Sequence, residues 1–390
     1  IATDRDFHDL DLSYDYSSNI TSVVDNVQTG FDRLYSIDDV DRITRQDEGT
    51  ESSGSIASRT RDQQWTLDHV GNWDVEKLDL DGDGSFTGTY EHQDDRTHDK
   101  VNQLTARDTD DNGTDDHTLS YDVVGNLTDD DEDYEYVYDV WNRLRKVNDT
   151  GDQSLIAEYR YNGLRYRIAE HVDTDDDGDV DGNDDWHYFA NDIRWRMVGM
   201  FVGSDTAPTE QYLHHNAGRD GHGGSSYIDL VVLRDRDTTG NGTLNERLYY
   251  GQNWRADVSV IFTAAGRPKE YVRYFAYGIP FGIPGGDTDS SGGTDQTDVD
   301  AIQDLIDASG YDVKADVDLD GDVDSDDKST VESQFDGVSL GYKCLTADSI
   351  RSRLAFSGGV LAAACGELEV FRARSLPSNL GRWLARDLLR

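Results

Sequence analysis

A short motif built on Tyr-Asp returns along this chain, and a repeat of that size constrains the fold more than any other feature of the sequence. Tyr121-Asp122-Val123-Val124-Gly125-Asn126-Leu127 is followed by Tyr138-Asp139-Val140-Trp141-Asn142-Arg143-Leu144, a step of 138 − 121 = 17 residues, and then by Tyr161-Asn162-Gly163-Leu164-Arg165. Weaker copies stand at Tyr14-Asp15 to Ile20, Leu67-Asp68 to Trp73 and His98-Asp99 to Leu104. Gly-Asn or Asn-Arg supplies residues that tolerate positive φ at a tight turn, and Leu or Trp begins the returning strand. The Tyr packs its ring while its hydroxyl can reach a polar partner. Each unit therefore predicts one hairpin. A lone hairpin is only marginally stable, so neighbours must pair edge to edge into a long continuous sheet.

The rest of 1–280 shows little helical periodicity and many short aromatic or β-branched segments separated by Gly, Asn and Asp, which predicts an all-β body. The repeats resemble the YD repeats of the Rhs family, whose members wind such strands into a large hollow β-shell. His187-Tyr188-Phe189 with Asn191-Asp192, Tyr227 to Asp237, Arg247 to Tyr250 and Asn253-Trp254 resemble later repeats of that family. Tyr271 to Gly278 resembles the start of its shell-closing segment, and Phe371 to Arg374 with Leu380-Gly381-Arg382-Trp383-Leu384 resembles its exit. The chain also departs from the family: Ser375-Leu376-Pro377 replaces the usual Tyr-Asp-Pro, Leu388 follows Arg386-Asp387 where Pro is usual, and 343–369 matches poorly. The autoprotease site and toxic domain of toxin-bearing relatives are not carried over.

Two acidic loops interrupt this body. Asp316, Asp318, Asp320, Gly321, Asp322, Val323, Asp324 and Asp327 fall on the positions of an EF-hand calcium loop. A hard divalent ion takes six to eight oxygens at ~2.3–2.6 Å, so alternate residues must point inward, Gly321 must permit the sharp turn and Val323 must enter a core. The first copy, Asp287, Asp289, Ser291, Gly292, Gly293, Thr294, Asp295 and Asp298, has a hydroxyl at the fifth position and is expected to bind more weakly. Val299, Ile302, Leu305 and Ile306 after one loop, and Val331 and Phe335 after the other, predict a short helix behind each. The copies start 316 − 287 = 29 residues apart and both close with Asp. This pair resembles a dockerin type I module, which implies a cohesin-like partner. A third loop, Asp173, Asp175, Asp177, Gly178, Asp179, Val180, Asp181 and Asp184, fills the same template but leads into a strand at 186–190, which predicts a calcium-pinned hairpin tip. Incomplete copies at Asp79-Asp81-Asp83, Asp108-Asp110-Asn112 and Asp237-Thr239-Asn241 are read as polar Asx-type turns.

The chain of 390 residues carries 36 basic and 80 acidic side chains, a net charge of −44, which speaks against nucleic acid or an anionic membrane surface as partner and for calcium as counter-ion. A salt-rich habitat is the alternative source of the charge. Cys344 and Cys365 are too few for a disulfide framework and are open either to pairing or to free core positions. The longest apolar run, 360–365, is far short of the ~20 residues of a membrane span. The start at Ile1 reads as a fragment or processed product. His-Glu-x-x-His, Gly-x-Ser-x-Gly, Walker and Cys-x-x-Cys motifs are absent, and His214, His215 and His222 in a Gly-rich loop are read as exposed polar residues, so no enzyme is expected.

The expected architecture is therefore mainly β, a YD-repeat shell over 1–280, with a small helical calcium module over 285–336 and a degenerate closing segment over 337–390. The favoured function is a non-enzymatic, extracellular or cell-surface structural protein that binds calcium and a cohesin-like protein or surface glycan. Tyr249 and Tyr250 could serve as glycan platforms, but a role as buried core rings is favoured for them. The competing function is a cage fragment of an Rhs toxin-delivery protein.

Overall fold

The computed structural model of the chain describes residues 8–87, 91–173, 180–215, 230–264, 268–278, 280–283, 286, 288, 293–312, 314–317, 322–332, 338–339, 353–354, 360–361, 368–371, 374–377 and 380–385. The fold is mainly β, in large antiparallel sheets, with one small helical module. Two compact units divide it. The first gathers Ile1–Thr118, Arg267–Ala276 and Phe281–Asp348, the second Leu119–Gly266, Tyr277–Pro280 and Ser349–Arg390. Within the first, strands from Leu10–Tyr14 to His117–Thr118 lie side by side in chain order, and in the second the same holds from Ser120–Tyr121 to Val258–Thr263. Such a meander needs only hairpin connections, which is what the repeat supplies.

The tips of these hairpins share one construction. At Asp15, Asp38, Asp68, Asp99, Asp122, Asp139, Asn162, Asp192 and Asn253 the backbone N–H donates to the carbonyl four residues on, and the N–H three residues on donates back to the carbonyl of the Asp or Asn. The residue three positions on lies in the left-handed region in every case: Ser18, Asp41, Gly71, Asn102, Gly125, Asn142, Arg165, Trp195 and Ala256. Arg165, Trp195 and Ala256 occupy it without the help of Gly or Asn. Just before each tip the strand register slips by one residue, so the Tyr of the motif sits in a β-bulge. Ile37, Leu67, His98, Asn191 and Gln252 hold the same place in other copies.

The Asp is the tie. Oδ1 of Asp122 accepts from Val124 N at 2.9 Å and Asn126 N at 2.9 Å while its Oδ2 accepts from Asn126 Nδ2 at 2.8 Å. Asp139 does the same for Trp141, Arg143 and the Arg143 guanidinium. Neighbouring tips are then stitched together: Arg42 Nη1 to the Asp68 carbonyl, Asn126 Nδ2 to Asn142 Oδ1, Arg143 Nη1 to the Asn162 carbonyl. The motif Tyr reaches the preceding hairpin, since Tyr161 donates to the Leu144 carbonyl at 2.8 Å. At the first repeat of the second unit that acceptor comes from far down the chain. The Leu384 carbonyl accepts from Leu127 N at 2.9 Å and Tyr138 Oη at 3.5 Å.

Charge is buried as cross-strand pairs. In the first unit Glu48 lies between Arg33 (2.8 Å) and Arg61 (2.5 Å), and further along Arg96 joins Glu76 (2.7 Å) to Asp94 (2.7 Å), which also takes Arg107 (3.0 Å). The cations also lie over rings, Arg61 over Phe31 and Arg96 over Trp73. In the second unit fully buried Glu170 pairs with Arg353 and Arg167, with His187 Nδ1 at 3.5 Å, and Tyr212 donates to Glu210 beside Arg234. Burial alone would push Glu170 up, but Arg353 and Arg167 overcome it and hold its carboxyl down at about 2.

Two measurements check these contacts. Asp139→Ala leaves the Trp141 and Arg143 N–H groups without their side-chain acceptor and should cost about 1–2 kcal/mol in denaturant unfolding, with Asp139→Asn costing less. Glu170→Gln removes the carboxylate that Arg167 and Arg353 share, leaving Arg353 with only Glu210 at 3.8 Å, and should cost about 3–5 kcal/mol. Because the folded Glu170 carboxyl is depressed from 4.5 to about 2, its contribution is complete above the ordinary value and fades as pH falls from there through about 2. Acid titration of stability should show that limb in the parent chain and lose it in Glu170→Gln.

Candidate metal centre

Two short helices, α1 (Gln296–Ala308) and α2 (Ser325–Thr330), follow the paired acidic loops. Each begins with a reciprocal capping box, Asp295 with Asp298 and Asp324 with Asp327. The closing carboxylates take the same pair of backbone donors, and Asp298 accepts the Thr288 hydroxyl as well, at 3.0 Å. Asp298 accepts from Thr288 N (2.7 Å) and Asp295 N (2.9 Å), and Asp327 accepts from Val317 N (2.7 Å) and Asp324 N (2.8 Å). Both carboxylates are fully buried, and Asp316 nearly so. Val299, Ile302, Ala315, Val323 and Val331 form the small core between the helices, with Leu305, Ile306 and Val317 against it. The packing predicted for Val323 is therefore present. Gly293–Thr294 pairs with Val338–Ser339, and Tyr311 donates to Asp316 Oδ2 at 2.9 Å.

Each loop thus brings its last carboxylate back across its own start, which is the closure an EF-hand-like site requires. Asp316, Asp322, Asp324, Asp327, Gly293, Asp295 and Asp298 would hold the ion together with Asp318, Asp320, Asp287, Asp289 and Ser291, which lie outside the described residues. The third loop closes in part the same way. Asp181 N donates to Asp184 Oδ2 at 2.9 Å, Val180 is buried with its N–H on the Leu155 carbonyl, and His171 Nε2 donates to the Asp184 carbonyl at 3.1 Å. The strand that follows is His187–Asn191. Asp173 begins the loop, and Asp175, Asp177 and Asp179 lie outside the described residues.

Two of the loops read as plain turns bring more oxygens together than the template indicated. One oxygen each from Asp79, Asp81, Asp83 and Glu91 lie within 4.8 Å of one another. Glu91 escapes a twelve-residue count because Tyr90 occupies the last position and Glu91 is one beyond. Asp79 is fully buried, accepts from Gly82 N and Gly84 N, and is raised by burial against those two bonds. Gly82 is required here, since its φ is +75° and a Cβ would stand 2.3 Å from the Arg59 carbonyl oxygen. Asp108, Asp110 and Asp116 form the second group. Asp116 accepts from Thr109 N and Oγ1 (2.8 and 2.9 Å), and at Asp237 the equivalent acceptor is the amide of Asn245, which takes Thr238 N and Oγ1 (2.9 and 3.2 Å).

The core role favoured for Tyr249 and Tyr250 is found at Tyr250, a buried ring, and Tyr249 is stacked against Phe262 at 5.7 Å. His214, expected as an exposed loop residue, lies on the strand Glu210–His214 and bonds the Met197 carbonyl through Nε2 at 2.7 Å; burial lowers its pKa. His222 lies outside the described residues. Among the described residues no helix is long and apolar enough to cross a membrane.

No protein-family model and no curated protein matches the chain. Solved structures do. The crystal structure of TcdB2-TccC3, and that of TcdB2-TccC3 without its hypervariable C-terminal region, each align over 97% of this chain at 13% identity with a TM-score of 0.56. The fold is shared. The chain spans 16% of the length of those chains, about one sixth.

The wiring of the closing carboxylates has a direct check. Asp327→Ala removes the acceptor of Val317 and Asp324 and should speed amide exchange at those two positions by the equivalent of about 1–3 kcal/mol, while Asp298→Ala should do so at Thr288 and Asp295.

Proposed function

We propose that this chain is a wall segment of an Rhs-type β-shell, a structural and interaction protein at or outside the cell surface rather than an enzyme. What carries this reading is the chain-order succession of Asp- or Asn-tied hairpins within each of the two large sheets, a construction whose only chemical demand is to keep adding strands. The fold neighbours TcdB2 and TccC3 are Tc toxin components, which favours the delivery-cage form of the shell over a free-standing adhesin.

In this proposal the helical module and the Asp173–Asp184 hairpin bind calcium. Carboxylates closed into one loop repel until a divalent ion neutralises them, so ion binding adds to the stability of the closed loop. The module then presents a calcium-dependent face to a protein partner of cohesin-like chemistry. A surface glycan is the weaker partner, because the ring at Tyr250 is spent in the core and that at Tyr249 is stacked on Phe262.

Calcium titrated calorimetrically into stripped protein should bind, and Asp316→Ala should remove one site from the stoichiometry. At a calcium concentration of ~100 times the dissociation constant the module gains ~2.7 kcal/mol, and excess chelator should lower its melting midpoint accordingly. Magnesium should restore the midpoint poorly, because it demands a tighter octahedral shell. A melting curve indifferent to chelator, with no heat on titration, would remove calcium from the proposal and leave the shell reading standing.

A further inference from the structure

The chain contains three Asn-Gly pairs, Asn112-Gly113, Asn162-Gly163 and Asn241-Gly242, and all three sit in described turns. Asparagine before glycine is chemically labile, because a glycine nitrogen without a neighbouring Cβ can attack the side-chain carbonyl of the residue before it. Attack requires that nitrogen to lose its proton and the carbonyl oxygen to take up negative charge. The three turns differ in both respects.

At Asn112-Gly113 the Gly113 N–H donates to Asp108 Oδ2 at 2.7 Å, and at Asn241-Gly242 the Gly242 N–H donates to Asp237 Oδ2 at 2.5 Å. A nitrogen held against a carboxylate resists deprotonation, since the anion beside it would be repelled, and its direction is fixed away from the asparagine. In each of these turns the asparagine Oδ1 accepts one backbone N–H, from Thr114 at 2.9 Å and Thr243 at 2.8 Å. Asn162-Gly163 is built the other way round. Gly163 is exposed, and its N–H makes no hydrogen bond among the described residues. Asn162 Oδ1 instead accepts two backbone N–H groups, Leu164 at 2.9 Å and Tyr166 at 3.0 Å, which aim at the oxygen where charge develops.

We propose that Asn162 is a site of spontaneous modification, converting through a cyclic imide to aspartate and isoaspartate. The Gly163 nitrogen gives its proton to solvent base and bonds to Asn162 Cγ; the side-chain nitrogen takes up a proton and leaves as ammonia. Water then opens the ring at either carbonyl. Opening at Cγ gives aspartate, which is the residue at seven of the other eight tips and preserves the turn. Opening at the main-chain carbonyl gives isoaspartate, lengthens the backbone by one carbon, and changes the carbonyl that Arg143 Nη1 grips at 3.1 Å to stitch this tip to its neighbour. The repeat frame thus holds one member whose chemistry lets the stitch age.

Incubation of the intact chain in warm, mildly alkaline buffer, followed by peptide mapping with mass detection and isoaspartyl methyltransferase labelling, reads all three sites at once. Asn162 should convert faster than Asn112 and Asn241 by about tenfold or more, a small share of the ~10²-fold that one aimed donor is worth to a developing oxyanion. Gly163→Ala is accommodated without strain, because its φ is not positive and a Cβ there meets open space, and it should slow conversion at Asn162 by a similar factor. Equal rates at the three sites, absence of conversion at Asn162, or conversion that persists unchanged in Gly163→Ala would each overturn the proposal.

Discussion

The structure depends on a carboxylate turned back onto its own backbone. Each tip of the meander forces one residue into the left-handed region and breaks the strand ladder by one register, both of which cost free energy. An Asp or Asn side chain offsets that cost by accepting two backbone N–H groups that the ladder can no longer satisfy. Where the residue four positions on is Asn or Arg, its side chain closes the second oxygen as well, as at Asn72 and Arg196. This explains why Asp and the residue four places later recur together, while the residues between them vary and often project apolar groups to solvent, as Val40, Val123 and Ile193 do.

The same acid type is held in two opposite electrostatic states. At the tips hydrogen bonds win: the Asn19 side chain and backbone hold Asp15 below the usual carboxylate range, and the Arg42 backbone and side chain do so for Asp38. Their contribution is present above the ordinary carboxylate pKa and is lost as pH falls through the lowered value. Burial wins at Asp32 on a strand and at Asp130 in the turn after Leu127–Asp129, which are raised although Asp32 accepts from Glu51 N and Asp130 from Tyr136 Oη. These stabilise the chain below the ordinary pKa and lose that contribution as pH rises through the raised one. A chain of net charge −44 therefore does not respond to acid as a single polyanion, because protonation breaks the ties of the lowered carboxylates, Glu170 and Asp94 among them, while relieving the raised ones.

Much of this was legible in the sequence. Tyr121 to Leu144 reads directly as two hairpins, and the strands Tyr134–Tyr138 and Leu144–Asp149 pair as the motif implies. The copy at Ile37-Asp38 to Arg42 was not legible, because it lacks the aromatic and carries Asp41 in the left-handed position, yet its tie is complete. The reason is that the motif is conspicuous through Tyr and Gly, whereas the fold requires the Asp or Asn that ties the tip. The helical module was legible down to the burial of Val323, because its spacing is fixed by local geometry. What no local pattern gives is the partner of Arg353, since Glu170 lies far away in the chain and either could have paired elsewhere. The acceptor role of the Leu384 carbonyl is hidden for the same reason, a backbone group having no signature in sequence.

The loops at Asp108 and Asp237 separate shape from charge. Both fold the same turn, with the first Asp accepting the N–H of the glycine five residues on and the closing side chain accepting Thr N and Oγ1. One closes with the carboxylate of Asp116 and the other with the amide of Asn245, and the hydrogen-bond pattern is preserved across that change. The shape is therefore set by hydrogen bonding and needs no ion to explain it. What differs is the repulsion stored in the closed turn: three carboxylates converge at Asp108, Asp110 and Asp116, whereas Thr239 and Asn245 take the places of two of them at Asp237. A repeat architecture that makes acidic turns for structural reasons thus holds in one chain a version with three converging carboxylates and a version with one, separated by the exchanges Asp110 for Thr239 and Asp116 for Asn245.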